Sequence, residues 1–269
     1  MIGHKRLAAA TFIGVFLFGL AGPAYAGGPR QPHGFVVRNN AADCSEGYTG
    51  TFVSFAQAQK SLPRGYVAGD GGVFFGAPLG MALFSIGSDV CRRADIDPGR
   101  GEADVLIYIQ TPRIRGVSTV PGEYDYYVPY FTTSSRKLAA IMRRAGVSLA
   151  LAKVTATVSP MLPGGGGAGS GASKDASGKG FSYDFAAPVP PSPTNPLTVF
   201  WFQTKRGVLK MDFVVDNLLW YGTAYCTITS PAVARQAGFS TCPVGTTGFA
   251  QTGGGWKAKI AFYPGARAS

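Results

Sequence analysis

Alternation of apolar and polar residues with a period of two is the sequence feature that most constrains the fold of this chain. In segment 209–215 (LKMDFVV) one face carries Leu209, Met211, Phe213 and Val215, and Lys210 and Asp212 fall on the other. This pattern predicts a β-strand with one polar face. Segment 197–202 (LTVFWF) is a continuous apolar run just before it, and the turn residues between them predict a β-hairpin.

Further segments rich in aromatic residues, Val and Thr are bounded by turn-forming residues and are also predicted to be strands. They are 34–38, 66–75, 105–110, 124–133, 148–159, 218–229 and 258–262. Asp216-Asn217 predicts a turn before 218–229. Pro129 lies inside 124–133 and predicts an edge strand or a bulge.

Two helices are predicted between these strands. The first covers 231–237, with Ser230 as N-cap, Pro231 at the first helical position and Gly238 as the stop. The second follows Ser135 and ends at Gly146. At 100° per residue its apolar stripe and its basic stripe face opposite ways, which predicts an amphipathic helix. The apolar stripe contains Leu138, Ile141, Met142 and Ala145, and the basic stripe contains Arg136, Lys137, Arg143 and Arg144.

Many short strands together with 38 Gly and 19 Pro favour a mainly β protein. We expect a sandwich or an irregular barrel built of antiparallel meanders, with two or three short helices.

The N-terminal segment 1–26 has the pattern of a secretory signal peptide. A short basic start precedes the apolar run 7–20, and Ala24-Tyr25-Ala26 supplies the small-x-small cleavage pattern. We therefore expect an exported protein, periplasmic or secreted. No later run is long enough for a membrane-spanning helix, so none is expected after cleavage.

Four cysteines follow the signal, and an even number in an exported chain predicts two disulfides. We favour Cys44–Cys91 and Cys226–Cys242, because each pair lies within one half of the chain. A zinc site is disfavoured because no two cysteines have the C-x-x-C spacing.

The Gly/Ser-rich segment 164–180 is predicted to be a loop or linker. It separates a β-rich N-terminal part, 27–163, from a β-meander C-terminal part, 181–269. We prefer one domain with a long surface excursion over two domains, because the second part is small for an independent unit.

Only His33 remains once the signal is removed, so a multi-histidine metal centre is excluded and a histidine-dependent catalytic site is disfavoured. We expect neither a metal nor a cofactor. The formal net charge of +11 leaves the chain basic, which favours an anionic partner.

The basic stripe of the second helix is the first candidate site. Its side chains Arg136, Lys137, Arg143 and Arg144 are predicted to bind an anionic glycan, a lipid or an acidic protein. The alternative is an ordinary solvated helix face. Nucleic acid is not expected as a partner, because the chain carries an export signal.

The C-terminal strand supplies a second, weaker candidate. Trp256, Lys257, Lys259 and Tyr263 combine aromatic rings with cations, a composition that suits glycan binding. The alternative is that the lysines protect an edge strand from aggregation.

Glu123 and Asp125 form the one pair of carboxylates that we name as a catalytic candidate. Their i, i+2 spacing places both on one face of an extended strand. Paired carboxylates are what glycoside hydrolysis needs. The alternative is a polar strand face whose acids pair with nearby arginines.

These observations favour a non-enzymatic binding or scaffold protein of the cell envelope or extracellular space, because no nucleophile motif or metal cluster is evident. Whether the chain is an enzyme is left open, with the balance against it. The first alternative is a carboxylate-dependent polysaccharide hydrolase. The second, ranked lower, is an outer-membrane β-barrel.

Overall fold

A computed structural model of the chain describes residues 34–70, 80–117, 124–160, 165–188, 192–194 and 197–269. Most of these residues lie in β-strands, and three short helices are found among them, so the predicted mainly β class is confirmed. Of the two predicted architectures, the structure is the irregular barrel: seven strands close into a barrel and further strands extend from it.

The strands are numbered in chain order, and the twelve within the described residues have the following bounds. They are β1 Phe35–Ser54, β2 Met81–Ala94, β3 Gly101–Tyr108, β4 Tyr124–Thr133, β5 Ala150–Leu151, β6 Lys153–Pro160, β7 Gly167–Lys174, β8 Gly180–Ala187, β9 Ser192–Thr194, β10 Leu197–Gln203, β11 Gly207–Ile228 and β12 Thr247–Pro264. The helices are α1 Phe55–Ser61, α2 Arg136–Arg144 and α3 Pro231–Ala237.

The barrel has the strand order β10-β4-β3-β2-β1-β12-β11, and the pairing of β11 with β10 closes it. The β10–β11 pair is the antiparallel hairpin predicted from 197–215. All neighbouring pairs of the barrel are antiparallel except β4 and β10, which run parallel. Leu209, Met211 and Phe213 of β11 face the interior, as the period of two predicts.

A second layer extends from the long strand β11. Its last residues pair with β8, and β8 continues through β7 to β6. The layer packs on the outside of β1 and β2, where Tyr183 of β8 lies within 3.0 Å of the Ser88 hydroxyl oxygen. The predicted turn at Asp216-Asn217 is absent, because β11 runs through this point with a bulge.

The Gly/Ser-rich segment 164–180 differs from its prediction as a loop or linker, because Gly167–Lys174 of this segment is strand β7. It pairs with β6 on one side and with β8 on the other. Gly171 shows why the composition fits: a Cβ there would collide with the Tyr183 ring. Segment 66–75 is also not a strand as far as residue 70, where a single bridge joins Ala68 to Ile109.

Helix α2 closes one end of the barrel. Its N-cap is Ser135, whose hydroxyl accepts a hydrogen bond from the Leu138 backbone N–H at 3.0 Å. Leu138 and Met142 are buried in the barrel core, as the amphipathic pattern predicts. Helix α3 likewise has the predicted bounds and cap. Within the described residues no helix is long and apolar enough to span a membrane.

Both predicted disulfides are confirmed. Cys44 and Cys91 lie directly opposite each other on β1 and β2, inside the barrel. Cys226 of β11 is joined to Cys242, which follows α3.

Candidate active site in the barrel interior

A row of polar side chains crosses four neighbouring strands on the inner face of the barrel. Glu102 of β3 lies directly opposite Asp89 of β2, and Asp89 lies directly opposite Glu46 of β1. Glu46 in turn faces Gln251 of β12. We call these four residues the carboxyl row. Strand pairing alone brings them together, since directly opposed side chains on one face are close neighbours.

A second row lies one step further along the barrel axis. Asp104 of β3 lies opposite Gly87, Gly87 lies opposite Tyr48 of β1, and Tyr48 lies opposite Phe249. The Tyr48 ring occupies the space where a Cβ on Gly87 would lie, and it stacks on Phe249 with ring centroids 5.2 Å apart. The absence of a side chain at Gly87 therefore lets Tyr48 lie across the interior beside the carboxyl row.

Hydrogen bonds hold part of the carboxyl row. Asp89 accepts the indole N–H of Trp256 at 3.0 Å on Oδ2 and the backbone N–H of Glu102 at 3.3 Å on Oδ1. Gln251 donates through Nε2 to the Glu46 carboxylate. Among the side chains of these two rows, three buried oxygens have no hydrogen-bond partner: Glu102 Oε2, Asp104 Oδ1 and Gln251 Oε1. Such atoms are costly in a folded protein and mark a place where a ligand can bind.

Burial raises the pKa of every carboxyl in this interior. Desolvation raises the pKa of Asp89 to about 7, and the hydrogen bonds from Trp256 and from the Glu102 backbone partly oppose this rise. The pKa values of Glu46, Glu102 and Asp104 lie well above their usual range, first because of desolvation and then because of the neighbouring carboxylates. Asp89 is thus suited to exchange a proton near neutral pH.

Tyr48 keeps its proton in the same environment. Desolvation and then the Asp104 charge raise the pKa of its phenol well above the usual value. The interior therefore combines one carboxyl that titrates near pH 7 with neighbouring groups whose pKa values are raised by burial. Environments that separate the pKa values of neighbouring groups are typical of acid–base sites.

A cavity of about 20 Å³ lies between the carboxyl row and α2. It is lined by Asp89, Glu102, Trp256 and Leu138 and by the exposed Arg100. This volume holds about one water molecule. Glu46 and Glu102 keep part of their surface accessible, although the barrel wall encloses them.

The predicted glycan site is not brought together. Trp256 is buried inside the barrel, where its indole holds Asp89, whereas Lys257 and Lys259 are exposed on the outer face of the same strand. Tyr263 is half-buried on that outer face. Trp256 therefore cannot stack on a sugar ring beside the lysines, because neighbouring residues of a strand point to opposite faces.

The structure describes only Asp125 of the predicted catalytic pair Glu123 and Asp125. Asp125 is buried, and it accepts hydrogen bonds from the Trp201 indole at 2.6 Å and the Thr111 hydroxyl at 2.9 Å. Desolvation raises its pKa, and these bonds oppose the rise. Glu123 lies outside the described residues.

The basic side chains of α2 are all exposed on its outer face, as predicted: Arg136, Lys137, Arg143 and Arg144. Two of them contact residues outside the helix. Arg143 donates to the Leu149 carbonyl at 3.3 Å, and the Arg144 guanidinium lies 5.1 Å from the centroid of the Phe35 ring. Anion binding by this face stays a prediction.

Lys210 is the one lysine or arginine of the described residues that is not exposed. It lies on the outer side of the barrel wall, opposite in direction to Leu209 and Met211. Its amine lies 2.8 Å from the Asp212 carboxylate and 5.5 Å from the Trp201 ring centroid.

Sequence reasoning missed the carboxyl row completely. The one local signal is Glu102 and Asp104, at i, i+2 in an otherwise apolar strand, which places two acids on one buried face. Glu46 and Asp89 stand in segments without such a pattern. No group of three or more His, Cys, Asp or Glu residues that could hold a metal ion occurs in the described part of the chain.

Three solved structures share this fold. An acetoacetate decarboxylase-like enzyme from Sphingomonas wittichii RW1 is 12% identical, with 88% of this chain and 93% of that chain covered and a TM-score of 0.54. Acetoacetate decarboxylase from Legionella pneumophila is 11% identical, with coverage of 97% and 98% and a TM-score of 0.56. The enduracididine biosynthesis enzyme MppR complexed with pyruvate is 14% identical, with coverage of 86% and 89% and a TM-score of 0.52.

No family model and no curated protein matches the chain. At these identities the structural likeness shows the fold alone. It nevertheless corrects the expected function, because the fold is one that enzymes use, and the expectation of a non-enzymatic binding or scaffold protein is wrong.

Proposed function

We propose that the protein is an enzyme that transfers a proton at the carbon next to a carbonyl group in a small substrate. The observation that carries the proposal is Asp89, a buried carboxyl with a pKa of about 7. It lies beside Tyr48 and Asp104, whose pKa values burial raises well above their usual range. A carboxylate base with a tyrosine and a protonated aspartic acid as hydrogen-bond donors is a known arrangement for enolisation.

The step balances with the residues at hand. The ionised Asp89 carboxylate takes the proton as the C–H bond breaks, and the electron pair forms the enolate. The negative charge gathers on the former carbonyl oxygen, where the Tyr48 phenol and the Asp104 carboxyl donate hydrogen bonds. Return of a proton from Asp89 to carbon completes the exchange, so no oxidant or reductant is needed.

The fold neighbours support a carbonyl substrate by their names, since acetoacetate and pyruvate are both carbonyl compounds. A Schiff base on a lysine amine is one route for such substrates. Lys210 does not suit this route, because it points away from the barrel interior and its ammonium is paired with Asp212. The proposal therefore rests on the carboxyl groups.

Hydrogen–deuterium exchange at carbon tests the proposal. The mature protein in D₂O at pH 7 is incubated with acetone, and loss of the methyl proton signal is followed by NMR. We expect exchange above the buffer rate, and a loss of about 100-fold or more in Asp89→Asn, the usual contribution of a general base.

Asp184→Asn is the matched control, because Asp184 is exposed on β8, outside the barrel. It is expected to retain the full rate. Equal exchange by Asp89→Asn and the unaltered protein, both folded by circular dichroism, would contradict the proposal.

We also propose that the enzyme is exported, to a periplasm or beyond the cell. The signal-peptide pattern of 1–26, which lies outside the described residues, supports this, as do the two disulfides, which persist in oxidising compartments. Mass spectrometry of the mature protein should find Gly27 at its N-terminus. Recovery of the intact chain from Met1 in the soluble cell interior would refute export.

A further inference from the structure

We infer that the substrate of this interior site carries an ammonium or another donor-only cationic group beside its carbonyl, and carries no carboxylate. The inference rests on the proposed function and names the substrate class of the same site. The juxtaposition that carries it is the carboxyl row of Glu102, Asp89 and Glu46, which ends at the unpartnered amide oxygen of Gln251.

The charges of the interior have one sign. Four carboxyl groups lie on the inner face, and every lysine and arginine of the described residues is exposed except Lys210, which points outward. Arg100 is the one lysine or arginine among the residues that line the cavity, and its side chain is exposed. Apart from Arg100, a carboxylate placed beside the row would meet no lysine or arginine of the described residues, and desolvation would add to its cost.

The buried oxygens that lack hydrogen-bond partners also favour a substrate rich in donors, independently of charge. Gln251 is only 1% exposed, its Nε2 already donates to Glu46, and its Oε1 has no partner. An amide oxygen can only accept a hydrogen bond. Glu102 Oε2 and Asp104 Oδ1 are also buried without partners. An ammonium brings three donors and no acceptor, so it satisfies such oxygens, and a carboxylate brings no donor.

Binding of a cation also changes protonation. The carboxyl pKa values are raised by desolvation and, for Glu46, Glu102 and Asp104, by mutual repulsion. A positive charge within a few ångströms lowers such pKa values. We therefore expect proton release when an ammonium compound binds near neutral pH, whereas a neutral ligand of the same shape releases fewer protons.

Acetone, aminoacetone and pyruvate form a matched set of probes, since they share the methyl ketone and differ in the second substituent. Their affinities for the full mature protein are measured at pH 7 by isothermal titration calorimetry in two buffers of different ionisation enthalpy. We expect aminoacetone to bind at least tenfold more tightly than acetone and to release protons. We expect pyruvate to bind more weakly than acetone.

Gln251→Leu and Glu102→Gln test the assigned atoms. Both are expected to reduce the preference for aminoacetone over acetone by fivefold or more. Asp184→Asn keeps the full preference. If Gln251→Leu fails to fold, Glu102→Gln carries the test, because the amide is isosteric with the carboxyl and cannot release a proton.

Two results separate the inference from the proposed function. If pyruvate binds as tightly as aminoacetone, while Asp89→Asn loses acetone exchange, the substrate class is wrong and the proton-transfer function stands. If aminoacetone is preferred but Asp89→Asn keeps full exchange, the proton-transfer function is wrong and the cation preference stands.

Discussion

At the scale of the residue, Asp89 shows how one side chain acquires a role from its neighbours. Strand pairing places its carboxyl between Glu46 and Glu102, and the Trp256 indole fixes one of its oxygens. Desolvation favours the neutral acid, while the two N–H donors favour the carboxylate, and the balance leaves its pKa at about 7. A carboxyl poised in this way is stabilised in neither state, which suits proton exchange more than it suits stability.

The pH dependence of stability follows from this balance. The Asp89 pKa of about 7 in the folded protein exceeds the unfolded value near 4, so between these values the native state binds more protons. Stability therefore falls as pH rises from about 4 to about 7, with up to roughly 4 kcal/mol lost through Asp89 alone.

Thermal unfolding of Asp89→Asn and of the unaltered protein at pH 5 and pH 8 measures this effect. We expect the melting temperature of Asp89→Asn to exceed that of the unaltered protein at pH 8 by several degrees more than at pH 5. Asp184→Asn should follow the unaltered protein at both pH values. If the difference in melting temperature between Asp89→Asn and the unaltered protein is independent of pH, the pKa of Asp89 is not raised in the folded protein.

At the scale of the element, α2 has the bounds and orientation that its sequence pattern predicts, and its buried face closes one end of the barrel. The helix also borders the cavity through Leu138, so its packing limits the space beside Asp89 and Glu102.

Strand β7, in contrast, is not predicted by its own sequence. Its glycines and serines have no local strand pattern, and neighbouring strands on both sides supply the backbone partners that define it.

Truncation of the buried face of α2 should loosen this end of the barrel. Met142 is 0% exposed, so Met142→Ala removes buried methylene groups and is expected to lower the free energy of unfolding by about 2–5 kcal/mol. Lys137→Ala, on the exposed face, should change it by less than about 0.5 kcal/mol. Urea unfolding followed by circular dichroism compares the two, and equal effects would mean that α2 does not pack on the core.

At the scale of the whole molecule, the barrel joins the two halves of the chain. The N-terminal strands β1 and β4 pair with the C-terminal strands β12 and β10. Each disulfide joins two cysteines of the same half of the chain. The loops that they close differ in length, with 47 residues for Cys44–Cys91 and 16 for Cys226–Cys242. In the chain-entropy account the longer loop restricts the unfolded chain more strongly.

Removal of each disulfide by paired alanine substitutions should therefore differ in its effect. We expect a loss of about 4 kcal/mol for Cys44→Ala with Cys91→Ala and about 3 kcal/mol for Cys226→Ala with Cys242→Ala. Denaturant unfolding of both variants under non-reducing conditions measures which of them loses more free energy of unfolding. A larger loss for the Cys226–Cys242 variant would show that native packing around the sulfurs, and not loop length, decides it.

The sequence by itself determined the elements whose signals are local. The period of two predicts the β10–β11 hairpin, the helical periodicity predicts α2, caps bound α3, and the positions of the four cysteines indicate their pairing. These signals are readable because each depends on residues a few positions apart, or on a short set of alternatives.

Only the tertiary structure decided the site. Glu46, Asp89 and Glu102 lie on three different strands, and their meeting depends on the register of pairing between β1, β2 and β3. Trp256 illustrates the consequence: the sequence suggests a surface residue beside Lys257, and barrel closure turns its indole inward to Asp89. The physical reason is that a single residue of register moves a side chain to the other face, and no local pattern specifies that register across distant strands.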